Sequence, residues 1–86
     1  MAELSISNPV PSLDGVEFIG VANGQEQKFL LNRDALEDIE YQLFESDAPL
    51  MQAFAKHRSH IALVAAKALD EGKGGARTVV LQNLVL

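Results

Sequence analysis

The chain has 86 residues, no cysteine and a formal net charge of -5, which fits a single domain, residues 1–86, with no second core. The absence of cysteine excludes disulfides, thiolate metal sites and thiol chemistry, and it is compatible with a reducing cytoplasm. The acidic balance argues against nucleic acid as the main partner, because binding to phosphates needs concentrated Lys and Arg side chains.

The first predicted element is a short edge strand, Leu4–Ser7, in which apolar and polar residues alternate. The prolines of the following segment, Asn8–Ser12, are expected to break regular structure. Each proline fixes its own φ and removes a backbone hydrogen-bond donor.

A β-hairpin is predicted next, over the β-prone segments Val16–Ala22 and Gln25–Leu31. Asn23-Gly24 separates them and favours a type I′ turn, which needs positive φ at both central residues. That turn sets a register in which Phe18 faces Phe29.

The predicted register divides the hairpin into two faces. One face is apolar and carries Val16, Phe18, Phe29 and Leu31. The opposite face is only half apolar, and on it the two charged residues lie diagonal to one another. It carries Glu17, Ile19, Lys28 and Leu30. This composition leaves room for another surface to cover part of that face.

Two helices are predicted after the hairpin. The first runs from about Arg33 to about Glu45, with Asn32 as its N-cap. The second, Leu50–Leu69, is a long amphipathic helix with an apolar stripe that His57 interrupts. One further element is predicted after the two helices, near the C-terminal end of the chain.

A β-branched segment, Thr78–Gln82, is predicted as a strand that joins the hairpin, and Gly72 caps the long helix before it. The expected fold class is therefore α+β: a β-hairpin, two helices of which the second is long, and a closing C-terminal strand on a small antiparallel sheet. The longest apolar run, Ile61–Ala66, is far below the ~20 residues that cross a bilayer. We expect a cytoplasmic protein with no membrane partner.

The candidate ligand-binding residues are His57, Arg58 and Glu40. Arg58 flanks the apolar stripe of the long helix, and Glu40 projects from the first helix toward the same core, which predicts a Glu40–Arg58 ion pair. A histidine and an arginine beside a carboxylate are able to orient an anionic ligand. His57 and His60 have i, i+3 spacing, but no third ligand accompanies them, so no metal and no cofactor are expected.

Strong catalytic signatures are missing from the sequence, and no catalytic residue is assigned. The chain has no nucleophile elbow, no dinucleotide fingerprint and no P-loop order around Gly72–Gly75. The leading hypothesis is a non-enzymatic protein-interaction or self-associating module, a possible homodimer or the partner of an unidentified protein. Leu63, Ser59 and Ala66 are the predicted interface on the long helix. The alternative is a small module, or minor enzyme, that binds an anionic ligand.

The chain resembles a small bacterial family catalogued as domain of unknown function 1488. The resemblance covers nearly the whole chain and is carried by five segments: ISNPVPS, DGVEFIGV, KFLLNRDALEDIE, AFAKHRSHI and VVLQNL. It implies a compact α+β fold with a hairpin, two helices and a closing strand. It implies no known activity, cofactor or catalytic residue.

Overall fold

The computed structural model describes residues 4–85. Its elements follow the order β-β-β-α-α-α-β and form one mixed sheet with helices on one face. The strands are β1 (Ser5–Pro11), β2 (Gly15–Ala22), β3 (Gln25–Asn32) and β4 (Val79–Leu81), and the helices are α1 (Arg33–Glu40), α2 (Asp47–Lys56) and α3 (Arg58–Asp70). The α+β class predicted from the sequence is confirmed.

The β2–β3 hairpin has the predicted turn and register. Asn23 and Gly24 both have positive φ, 53° and 75°, as a type I′ turn requires. Phe18 pairs with Phe29 across the strands, and their rings stack with centroids 5.1 Å apart. The Phe54 ring of α2 lies 5.5 Å from that of Phe18, so this aromatic pair forms the centre of the core.

The first strand is longer than predicted, because it continues through both prolines as far as Pro11. The register against β2 shifts between Ser7 and Val10, and Asn8 within this bulge has a φ of 52°. β1 lies at the edge of the sheet, where a proline removes no ladder hydrogen bond and a bulge is tolerated. The prolines therefore protect an edge strand and do not end it.

The sheet is mixed and not antiparallel as predicted, because β4 runs parallel to β3. The helices carry the chain back over one face of the sheet to the end at which β3 begins. A parallel pair requires a crossover of a dozen or more residues of this kind. The prediction was wrong in strand direction because composition alone does not fix where the crossover ends.

The first helix is shorter than predicted and ends at Glu40, since Tyr41 adopts a left-handed conformation with a φ of 55°. Hydrogen bonds from the helix hold the turn that follows. The backbone N–H of Phe44 donates to Glu37 Oε2 at 3.0 Å, and Arg33 Nη2 donates to the Phe44 carbonyl oxygen. Phe44 is buried as a result, whereas its neighbour Leu43 is exposed.

The predicted long helix is divided at His57 into α2 and α3, so residues 4–85 contain three helices where two were expected. His57 has φ -103° and ψ 16°, outside the helical region. Contacts on both sides of the break account for it: His57 meets Glu40 of α1, and Arg58 donates to the Ile6 carbonyl oxygen of β1. The sequence here contains no helix-breaking residue, so its local helix propensity favours a continuous helix. The tertiary contacts of His57 and Arg58 override that propensity.

Candidate functional site

Glu40, at the end of α1, contacts a second predicted site residue, His57, and also Lys56. Its Oε2 atom lies 3.3 Å from His57 Nε2 and 3.2 Å from Lys56 Nζ. The His57 and Glu40 side chains are largely buried, whereas Lys56 is exposed. The cluster joins the C-terminal end of α1 to the junction of α2 and α3, which is a structural role.

Electrostatics at this cluster favour the ionised form of Glu40. The hydrogen bond with His57, followed by that with Lys56, holds the pKa of the Glu40 carboxyl below its usual value. Partial burial opposes this effect without reversing it. The Glu40 carboxyl is therefore a fixed anion near neutral pH, the opposite of what a general acid requires.

The predicted Glu40–Arg58 ion pair is wrong. Arg58 Nη2 instead donates a 2.6 Å hydrogen bond to the carbonyl oxygen of Ile6 in β1. The continuous helix assumed for the prediction placed Arg58 on the flank facing α1, and the break at His57 turns that residue toward β1. Of the three predicted ligand-binding residues, His57 and Glu40 are in contact, whereas Arg58 is hydrogen-bonded to β1.

The two histidines point to different parts of the fold. His60 Nε2 lies 2.6 Å from the Leu84 carbonyl oxygen, so its N–H donates to the segment that follows β4. His57 is engaged by Glu40. Within residues 4–85, no group of three or more His, Asp or Glu side chains is placed to hold a metal ion.

Gln27 is a structural residue that the sequence analysis did not identify. It is the one buried polar or charged residue in the described part of the chain. Its Nε2 atom donates to the Arg77 carbonyl oxygen at 2.9 Å, and its Oε1 atom accepts from the backbone N–H of Gly75 at 2.7 Å. Gln27 thus joins the glycine-rich loop that contains Gly74 and Gly75 to β3. The sequence around Gln27 gives no indication of a hydrogen-bond partner some 50 positions away.

A cavity of about 340 Å³ lies beside this loop, between the hairpin tip and the end of α3. The charged side chains that line it, Glu26 and Asp70, are both acidic. It is therefore unsuited to the anionic ligand of the alternative hypothesis, and it contains none of His57, Arg58 and Glu40.

The predicted interface stripe on the long helix is not continuous at the surface. Leu63 is 48% exposed and Ser59 is exposed, but Ala66 is only 6% exposed and belongs to the core. Ala66 packs into the core with its neighbours Val64 and Ala65, so it does not share the exposed side of α3 with Leu63 and Ser59. Leu63 and Ser59 remain accessible without it.

The sheet face opposite the helices presents a different accessible surface, which we call the outer face. One row of paired positions crosses all four strands of this face: Val10, Glu17, Leu30 and Val80. A second row contains Ser7, Ile19 and Lys28. Val10 and Val80 are about half exposed, and no helix within residues 4–85 covers these rows. The half-apolar face predicted from the hairpin is thus present and widened by two valines.

Comparison with known proteins agrees with the fold described above. A crystal structure of a protein of unknown function from the DUF1488 family, from Shewanella loihica PV-4, superposes with a TM-score of 0.82 at 12% sequence identity. The alignment covers 94% of this chain and 93% of that chain. At 12% identity, this similarity shows that the two proteins share a fold.

Three further findings concern curated relatives, membrane-spanning helices and the family. No curated protein matches the chain. In the described range 4–85, the helices are too short or too polar to cross a bilayer. The model of the family described as "Protein of unknown function (DUF1488)" matches residues 11–81. The chain therefore belongs to the DUF1488 family.

Proposed function

We propose that this protein is a non-enzymatic module that acts through protein–protein contact, and that its contact surface is the outer face of the sheet. One observation carries the proposal: a row of side chains across all four strands, three of them apolar, lies open on a face that no described helix covers. A sheet normally buries one face and solvates the other with polar residues. An open face with this many branched apolar side chains is typical of a contact surface.

The arrangement of the candidate ligand-binding residues supports the same proposal. Arg58 donates a hydrogen bond to a backbone carbonyl oxygen, and Glu40 is in contact with His57 and Lys56. A module for anions needs uncompensated positive charge directed into a concave site. The charged groups that line the cavity at the hairpin tip are acidic instead.

The size of the outer face sets the strength of the contact. Four strands of 3 to 8 residues cover at most about 26 Å by 19 Å, or roughly 500 Å². Stable interfaces bury about 800 Å² on each partner, and weak or transient ones bury less. We therefore expect reversible association and not an obligate complex.

The first experiment tests whether the protein associates with itself. Analytical ultracentrifugation over a wide range of protein concentration measures the mass in solution. The monomer has a mass of 9.3 kDa, and we expect the weight-average mass to rise toward twice that value as concentration increases. A mass that stays at 9.3 kDa throughout would contradict self-association.

A further inference from the structure

From the arrangement of charges on the outer face, we infer that its occupant is a second copy of this chain, docked so that Glu17 of each protomer meets the partner's Lys28. This inference rests on the proposed function, because it assumes that the outer face is a contact surface. It adds the identity of the partner and the symmetry of the contact.

The strand register fixes the pattern on which the inference depends. Glu17 pairs with Leu30, and Ile19 pairs with Lys28 in the next outward-facing row. The four side chains therefore stand at the corners of a rectangle, about 4.8 Å across the strands and about 6.7 Å along them. Opposite charges occupy one diagonal, and two large apolar side chains occupy the other.

Both charges are available to a partner. Glu17 and Lys28 are exposed. The ion pairs found within residues 4–85 involve neither of them. Each side chain is long enough to cross an interface, and each is adjacent to apolar surface that its stem can cover.

A two-fold axis along the apolar diagonal makes this face complementary to itself. It brings Ile19 over the partner's Ile19 and Leu30 over the partner's Leu30. It also brings the Glu17 position within about 3 Å, in projection, of the partner's Lys28. Homodimers of this kind are isologous, so the same ion pair forms twice.

The other simple axes are disfavoured by the same four residues. An axis along the strands places Glu17 over the partner's Leu30, and an axis across the strands places it over the partner's Ile19. Either arrangement buries a carboxylate against an apolar side chain with no counter-charge, which is strongly unfavourable. The diagonal axis crosses the strands of the two sheets at about 70°, close to the orthogonal class of sheet packing.

The experiment uses two charge reversals, Glu17→Lys and Lys28→Glu, measured separately and as an equimolar mixture. In a homodimer of either variant, like charges face one another twice, so we expect the dissociation constant to rise at least ~10-fold. In the mixture, the two altered residues face one another with opposite charges at one pair, and the unaltered Lys28 and Glu17 form the other pair. We therefore expect a heterodimer with a dissociation constant within about 3-fold of the wild-type value.

Glu45→Lys is the matched control, since it makes the same charge change on an exposed residue in the α1–α2 connection. It should leave dimerisation within about 2-fold of wild type. Melting temperatures of all variants check that each one folds. Rescue by mixing also excludes misfolding as the cause, because two misfolded proteins would not restore one another.

The outcomes separate this inference from the proposed function. A wild-type protein that stays monomeric overturns self-association itself. A wild-type dimer that neither reversal weakens leaves self-association standing but overturns the pairing of Glu17 with the partner's Lys28. Weakened single variants that mixing does not restore overturn the two-fold arrangement. Weakening with recovery in the mixture supports the inference.

Discussion

The His57 imidazole lies 3.3 Å from the Glu40 carboxylate, and this contact fixes the point at which the second half of the chain turns between two helices. It joins the end of α1 to the α2–α3 junction. The same break directs Arg58 toward β1. The residues that the sequence marks as a possible ligand site are thus accounted for by the packing of helices on the sheet.

The Glu40 contact predicts a specific dependence of stability on pH. The pKa of Glu40 is lowered in the folded protein, so its stabilising effect is present above the unfolded-state pKa and is lost as pH falls through the folded-state pKa. We expect Glu40→Gln to lower the melting temperature near neutral pH. The difference from wild type should shrink only as pH falls through the folded-state pKa of Glu40, below its usual value, because there the wild-type carboxyl also becomes neutral.

Thermal unfolding of wild type, Glu40→Gln and the control Glu45→Gln across this range measures the effect. Glu45 is exposed in the connection that follows α1, and its substitution should change the melting temperature little. A difference between wild type and Glu40→Gln that stayed constant, or grew as pH fell, would show that Glu40 acts through packing and not through its charge.

Arg58→Ala should destabilise the fold by about 1 kcal/mol. This is less than a hydrogen bond to a charged group usually contributes, because the Arg58 side chain is exposed to solvent. The substitution removes the 2.6 Å hydrogen bond to the Ile6 carbonyl oxygen in β1. For a domain of this size the loss corresponds to a fall of about 4–8 °C in melting temperature. Ser59→Ala, at the next exposed position of α3, is the control. Equal melting temperatures for the two variants would argue against a structural role for Arg58.

Gln27→Ala should loosen the glycine-rich loop selectively. It removes the acceptor of the Gly75 N–H and the donor to the Arg77 carbonyl oxygen. Water reaches these exposed loop residues, so the global cost should be about 1 kcal/mol. Hydrogen exchange should accelerate most at Gly75, with α2 and β2 changed only by the global effect.

Gln25→Ala is the matched control for that loop, because Gln25 lies two positions away on β3 and is exposed. It should leave exchange at Gly75 unchanged. Equal protection at Gly75 in wild type and Gln27→Ala would mean that the loop is held by contacts other than the Gln27 amide.

The parts of the fold predictable from the sequence are those that local chemistry decides. Asn23-Gly24 specifies a turn by itself, and the register of the two strands around it then follows residue by residue. The pairing of Phe18 with Phe29, and the mixed composition of the outer face, were predictable for this reason.

The remaining features depend on residues far apart in the chain. The break at His57 requires Glu40 and Ile6, which lie on other elements. The parallel direction of β4 depends on where three helices return the chain. Because neither effect leaves a periodic or compositional trace, the long helix, the antiparallel sheet and the Glu40–Arg58 pair were predicted wrongly.

Contact through the outer face is distinguished from contact through α3 by comparing Ile19→Asp with Leu63→Asp in analytical ultracentrifugation. Both substitutions replace a partly exposed branched apolar residue, one on the sheet and one on α3. We expect Ile19→Asp to remain at 9.3 kDa at concentrations where wild type and Leu63→Asp associate. Dissociation by Leu63→Asp, with Ile19→Asp unaffected, would place the contact on α3 and not on the outer face.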